Sequence, residues 1–345
     1  MTASLSFTSA RPRAIGWWLL AVAALVFAMV VVGGATRLTE SGLSIVEWKP
    51  VTGALPPMSE AAWQAEFAAY KTSPQYHLVN QGMSLAAFKT IFWWEWGHRL
   101  LGRAIGLAFL LPFLWFLLRR AIPRGLAPRL WFIFLLGAAQ GALGWWMVKS
   151  GLVAEPAVSH YRLAAHLGLA LVIFAALLWT ALDLLTQPRR RAPARAMQAL
   201  AWGFLILLGG QIILGAFVAG LDAGLAYNSW PLMDGAFIPA GVFAAPNIFD
   251  DTLAVQFLHR MLAYAVTLLA GLLVIAAWRR ESDRPAQVLT LLLLLATLAQ
   301  AGLGIATLLA QVPVGLGTAH QGGAVLLLGL GLALAHRQKA RPAHG

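Results

Sequence analysis

Apolar runs long enough to cross a bilayer recur eight times along this chain, at roughly 15–35, 96–118, 129–149, 162–183, 197–219, 255–278, 286–309 and 317–336. A hydrocarbon core about 30 Å thick needs about 20 apolar residues in a helix. Backbone groups in lipid must be satisfied within the segment, so each run is expected to be a helix. With 60% hydrophobic residues, 11% charged residues and a mean hydropathy of +0.73, the chain has too little charge to clothe a water-facing domain. The expected class is an all-α integral membrane protein of eight transmembrane helices.

The formal charge of +12 does not mark a nucleic-acid surface, because the basic residues sit in short segments between the runs. Arg11 and Arg13 precede the first span, and Arg119, Arg120, Arg124 and Arg129 separate the second from the third. Arg189, Arg190, Arg191 and Arg195 follow the fourth, Arg279, Arg280 and Arg284 the sixth, and Arg337, Lys339 and Arg341 the eighth. With eight spans all five segments fall on one side, which the positive-inside rule makes cytoplasmic along with both termini. The acids Glu40, Glu47, Glu60, Glu66, Asp222, Asp234, Asp250 and Asp251 lie in the opposite loops. The first run is long and lacks a small-residue cleavage site, so it reads as an uncleaved anchor in a bacterial inner membrane. The chain has no cysteine, which excludes thiolate metal sites, iron–sulfur clusters and disulfides.

Two long outer loops, 36–95 and 220–254, are expected to be functional. The first holds Pro50, Pro56, Pro57 and several aromatics, and a short helix is expected near 59–71. Gly42-Leu43, Trp48, Gly53 and Pro57 return as Gly224-Leu225, Trp230, Gly235 and Pro239 at one constant offset. His98-Arg99 answers to His259-Arg260, and Ala139-Gln140 to Ala299-Gln300. The expected organisation is two four-helix halves, 1–185 and 186–345, in parallel orientation because four is even.

Of eight histidines, His77, His160, His336 and His344 are assigned no chemistry. His98, His166, His259 and His320 fall on the second, fourth, sixth and eighth spans, all running from outside to inside, within the first few residues of each. A single histidine there is ordinarily an interfacial side chain satisfied by water or a carbonyl. Four at one shallow depth, in matched pairs across a repeat, point instead to function. Paired imidazoles with no cysteine or carboxylate alongside suit axial ligation of haem iron better than zinc. The expected pairs are His98 with His166 and His259 with His320.

Arg99, Arg103, Arg162 and Arg260 accompany these histidines, either snorkelling to headgroups, for Arg162 above all, or neutralising haem propionates. The His-Arg pair occurring at two equivalent positions favours the propionates. Glu95 precedes His98 by one helical turn, whereas the equivalent residue of the second half is Gln256. One site therefore has an ionisable neighbour and the other a neutral amide, as expected of one reacting site and one electron-transfer site. A solvated carboxylate at a helix start is the alternative.

The stretches Gly33-Gly34-Ala35-Thr36-Arg37-Leu38-Thr39-Glu40-Ser41-Gly42-Leu43-Ser44, Glu47-Trp48-Lys49-Pro50 and Phe92-Trp93-Trp94-Glu95-Trp96-Gly97-His98-Arg99-Leu100-Leu101-Gly102-Arg103 resemble the haem A synthase family. So do Trp230-Pro231-Leu232-Met233-Asp234-Gly235, His259-Arg260 and Thr318-Ala319-His320-Gln321. The likeness is greatest to the cysteine-free branch shared by proteobacteria and mitochondria. It implies successive oxidation of the C8 methyl of haem O to the formyl of haem A. It further implies His98 and His166 on the substrate haem, His259 and His320 on a haem b cofactor, and Glu95 as the catalytic carboxylate. A haem O synthase and an electron acceptor are the implied partners, and a homo-oligomer is compatible with the sequence.

A dihaem b-type cytochrome taking electrons from quinol is the main rival. It would need haems at two depths, whereas these ligands share one. A repeat-built transporter would need midplane polar groups, and the spans offer few: Gln140, Asp183, Gln211 and Gln300. Gly137, Gly141 and Gly144 read as helix-packing residues.

Overall fold

In a computed structural model of the chain, residues 12–49, 51–151, 157–186, 194–280 and 283–339 are described. Arg11, Pro50, Arg189, Arg190, Arg191, Arg341 and His344 lie outside them. The helices are α1 (Pro12–Leu38), α2 (Glu60–Tyr70), α3 (Pro74–Leu78), α4 (Leu85–Leu118), α5 (Ala127–Gly151), α6 (His160–Leu185), α7 (Arg195–Gly220), α8 (Thr252–Arg280), α9 (Arg284–Leu309) and α10 (Val314–Arg337). Among the described residues eight of them, all but α2 and α3, are long and apolar enough to cross a membrane. The one β pairing among these residues is a single bridge between Met233 and Ala236.

The spanning helices contact one another in two closed rings, α1–α4–α5–α6 and α7–α8–α9–α10. Neither α4 with α6 nor α8 with α10 shares an extended seam among the described residues, so these helices stand diagonally across their rings. The rings meet where α1 packs on α10, α6 on α7, and α6 on α10. The central helices are accordingly the most buried, α1 through Ile15, Leu19 and Val22 and α10 through Val325, Leu327 and Leu334. The outer helices expose Leu107, Leu111, Phe132, Leu135, Leu268 and Leu295. In water such a belt would be an aggregation surface, whereas facing acyl chains it costs nothing.

The two rings are also tied at both ends. Asp183 at the end of α6 accepts from Arg129 at 2.8 Å, Lys339 at 2.8 Å and His336 at 2.9 Å. At the other end Arg37 on α1 pairs with Asp222 after α7 at 3.0 Å, and His160 of α6 meets Asp250 of the second outer loop at 2.9 Å. His160 and His336, assigned no chemistry from the sequence, thus serve as ties between helix ends.

The helix expected near 59–71 is α2, capped by Ser59, whose hydroxyl accepts from the Ala62 N–H. The second span departs from the expected 96–118, because α4 begins at Leu85, with Ser84 as its cap. The connection between α1 and α4 is correspondingly shorter than 36–95. The added turns read as loop because Lys89 and Thr90 interrupt the hydropathy. Their other face is apolar, and Phe88 and Phe92 bury against Trp63, Phe67 and Tyr70 of the outer loop. The added turns of α4 thus pack against a loop with its own core.

Candidate functional site

His98 on α4, His166 on α6, His259 on α8 and His320 on α10 occupy the diagonal helices of the two rings. His98 and His166 are close enough to interact electrostatically, and so are His259 and His320. His98 is not at its helix start, since α4 begins more than three turns earlier, at Leu85. The other three lie nearly two turns into their helices, so the expectation of a place within the first few residues holds only loosely for them.

Each ring lies against a glycine of a neighbouring helix. A Cβ on Gly33 of α1 would come within 3.2 Å of His98 Nε2, and one on Gly215 of α7 within 3.1 Å of His259 Cε1. A Cβ on Gly144 of α5 would come within 3.1 Å of His166 Cε1, and one on Gly304 of α9 within 2.7 Å of His320 Cε1. Gly33 and Gly215 are related by the offset that relates Trp48 to Trp230, so the cradle recurs between halves. Gly144, a packing glycine by its sequence context, makes room for an imidazole instead, whereas a Cβ on Gly137 or Gly141 would meet nothing within 4 Å.

Three of the four rings also meet a carboxamide. Gln140 Nε2 lies 3.3 Å from His166 Nε2 and donates to the His166 carbonyl at 3.0 Å. Gln300 Nε2 lies 3.0 Å from His320 Nδ1 and donates to the His320 carbonyl at 2.7 Å. Gln211 Nε2 lies 3.2 Å from His259 Nε2. The sequence marks these glutamines only as sparse polar residues. The recurrence of Ala139-Gln140 as Ala299-Gln300 is the signal that could find two of them.

Glu95 is buried, 3% exposed, and sits well inside α4, which removes the reading as a solvated helix-start carboxylate. Its Oε1 accepts from Arg99 at 2.6 Å, and its Oε2 accepts from the Ser44 hydroxyl and the Ile45 N–H, both at 2.7 Å. Arg99 also donates to the carbonyls of Ile45 at 2.9 Å and Glu47 at 3.3 Å. The second half repeats the plan with a neutral partner. Arg260 donates to the carbonyls of Tyr227 at 2.8 Å and Ser229 at 2.9 Å and to Gln256 Oε1 at 3.3 Å, while Gln256 donates to the Ala223 carbonyl at 2.9 Å.

Arg103 donates to the Lys49 carbonyl at 2.9 Å, and with Arg99 it lines a cavity of about 270 Å³ that includes Lys49, Glu66 and Trp96. Hydrogen bonds to Glu47 and Glu66 push the Lys49 ammonium above its ordinary pKa of 10.5. Arg162 donates to the Trp146 carbonyl at 2.7 Å and lies 4.1 Å over the Trp146 ring, which pins it to the end of α5. All four arginines therefore have partners within the protein.

The donor set fits haem. Among the described residues no three His, Asp or Glu gather to hold a bare metal ion, so imidazole pairs are the available ligands. The buried Nδ1 atoms of His166 and His259 have no hydrogen-bond partner among those residues, so each of these rings keeps capacity for a further partner.

The family model described as cytochrome oxidase assembly protein matches residues 16–332. A protein named Heme A synthase from Parvibaculum lavamentivorans is 57% identical over 334 residues, covering 96% of both chains. One of the same name from a Bradyrhizobium species is 54% identical over 334 residues, covering 95% of this chain and 92% of that one. Another, from Rhodospirillum centenum, is 53% identical over 328 residues, covering 94% and 88%.

Proposed function

Since this chain belongs to the haem A synthase family, we propose that it oxidises the C8 methyl of haem O, its substrate, to the formyl of haem A. It is an oxidoreductase embedded in the bacterial inner membrane by multiple spans. The observation that carries the site assignment is the recurrence of imidazole pairs, each ring cradled by a helix glycine, on the diagonal helices of two rings.

We read the chain as two parallel four-helix halves, 1–185 and 186–345. His98 and His166 take haem O in the first, and His259 and His320 hold a haem b in the second. That haem b supplies reversible one-electron chemistry when bound. Arg99, Arg103, Arg162 and Arg260 are the cations proposed for the propionates, on charge and on position along the helices.

Glu95 is proposed as the catalytic carboxylate, which takes up a proton released during oxidation or stabilises a developing cation. The second half supports this. There the loop is anchored through Gln256, an amide, so anchoring alone does not require a negative charge at the corresponding place. The charge at Glu95 has a use beyond tying down the loop.

Both termini are assigned to the cytoplasm and the haem sites to the periplasmic side. Arg129 and Lys339, from two of the basic segments, converge on Asp183, which supports their lying on one side. Haem O synthase and an electron acceptor outside this chain are the proposed partners.

Co-expression with a haem O-producing enzyme, followed by chromatography of extracted haems, tests the activity. Haem A is the expected product. Haem O left unchanged, with a low-spin spectrum, would overturn the synthase in favour of a dihaem cytochrome.

A further inference from the structure

The four rings differ in one respect that the repeat exposes. Gln211 lies one turn before the Gly215 that cradles His259. At the same offset, one turn before the Gly33 that cradles His98, the first half has Met29. The Met29 Cε reaches α4 3.5 Å from where a Cβ of Gly102 would stand, one turn beyond His98. His98 makes no side-chain hydrogen bond among the described residues, whereas His166, His259 and His320 each meet a glutamine.

We propose that Gln211 is a positioning residue that holds the His259 imidazole, and that Met29 leaves His98 the one unheld ring. The second pair thereby keeps its haem, while the first takes up and releases haem through His98. This rests on the ligand assignment made above and explains why one site is for a cofactor and the other for a passing substrate.

The chemistry follows from the side chains. A carboxamide offers the ring both a donor and an acceptor, and Gln211 has a buried Oε1 with no partner among the described residues. A half-turn of its amide presents that oxygen to a ring N–H, so the imidazole stays oriented in either arrangement of its protons. Gln211 reaches Nε2 and leaves the buried Nδ1 without a partner, and a partner on one ring nitrogen fixes the orientation of the ring. The thioether of Met29 is a weak acceptor with no donor, and it fills space without orienting the ring. Gln140 and Gln300 correspond across the repeat, so among the positions of the ring-contacting glutamines Met29 against Gln211 is the difference between the sites, beside the Glu95 and Gln256 difference at the loops.

The test isolates each site in the full chain. His98→Ala leaves the His259/His320 site, His259→Ala leaves the His98/His166 site, and each protein is loaded with haemin in detergent. Release is followed by capture in excess apomyoglobin. In the first background Gln211→Met is expected to speed release about tenfold or more, and Gln211→Glu to slow release again while lowering the midpoint potential. In the second, Met29→Gln is expected to slow release by a similar factor. Unchanged release and potential in these variants would overturn the positioning role. Should Gln211→Met not fold, Met29→Gln decides alone, and unchanged release there is fatal. The ligand assignment fails separately: His259→Ala in the otherwise unaltered chain would then keep both haems and an undiminished bis-imidazole spectrum.

Discussion

Arg99 and Glu95, one turn apart on α4, form a buried ion pair at 2.6 Å whose other bonds all run to the first outer loop. The guanidinium takes two loop carbonyls and the carboxylate takes a loop hydroxyl and a loop N–H. About three turns into α4, this one pair of side chains joins the helix to the loop above the site.

Removing the guanidinium leaves that carboxylate buried and uncompensated, at 3% side-chain exposure. Arg99→Leu is therefore expected to cost about 3–5 kcal/mol, the range for breaking one partner of a buried pair. Thermal unfolding in detergent and protease cleavage between α1 and α4 measure it. Stability within about 1 kcal/mol of wild type would contradict the anchoring role, on the same scale.

Glu95→Gln separates the charge from the anchor, because Gln256 shows that an amide serves the second loop. The variant is expected to fold and retain haem but to form haem A about 100-fold more slowly or worse, the loss typical of a removed proton-transfer group. Haem chromatography over time reports the rate. Full-rate product would remove the catalytic assignment.

Gly304→Ala places a methyl 2.7 Å from His320 Cε1, closer than carbon atoms tolerate, so the ring must move. The low-spin haem band of the second site is expected to fall by about tenfold in occupancy at limiting haem. Gly302→Ala, on the same helix with nothing within 4 Å, is the matched control and should leave the band intact.

Hydrogen bonding to Tyr161, with His160 and Asn247, holds the Asp250 carboxyl below its ordinary pKa of 3.8. A carboxyl whose folded pKa is lowered adds stability above its unfolded pKa and loses it as the pH falls through the folded value. The tie between the second outer loop and α6 should therefore hold at about pH 5 and above and loosen as the pH drops below the ordinary carboxylate range. Hydrogen-exchange protection in residues 220–254, taken relative to the intrinsic rate at each pH, should fall between about pH 5 and pH 2 in the native chain, and Asp250→Asn should flatten that dependence. A profile unchanged by Asp250→Asn would refute the tie.

Sequence alone determined the eight spans, because hydropathy is local and a bilayer demands about 20 apolar residues in succession. It also brought out the four histidines, since their repetition in register is a pattern along the chain. What it did not show depended on which faces meet. The start of α4 at Leu85 was hidden because its apolar side is covered by the outer loop rather than by lipid. Gln140, Gln211 and Gln300 carried no local mark of their ring contacts, which exist only where neighbouring helices pack. Gly33 and Gly215 likewise look like any transmembrane glycine until an imidazole from another helix fills the space left by the missing Cβ. Spans are written in composition, whereas the surroundings of a side chain are settled by helices distant in sequence packing together.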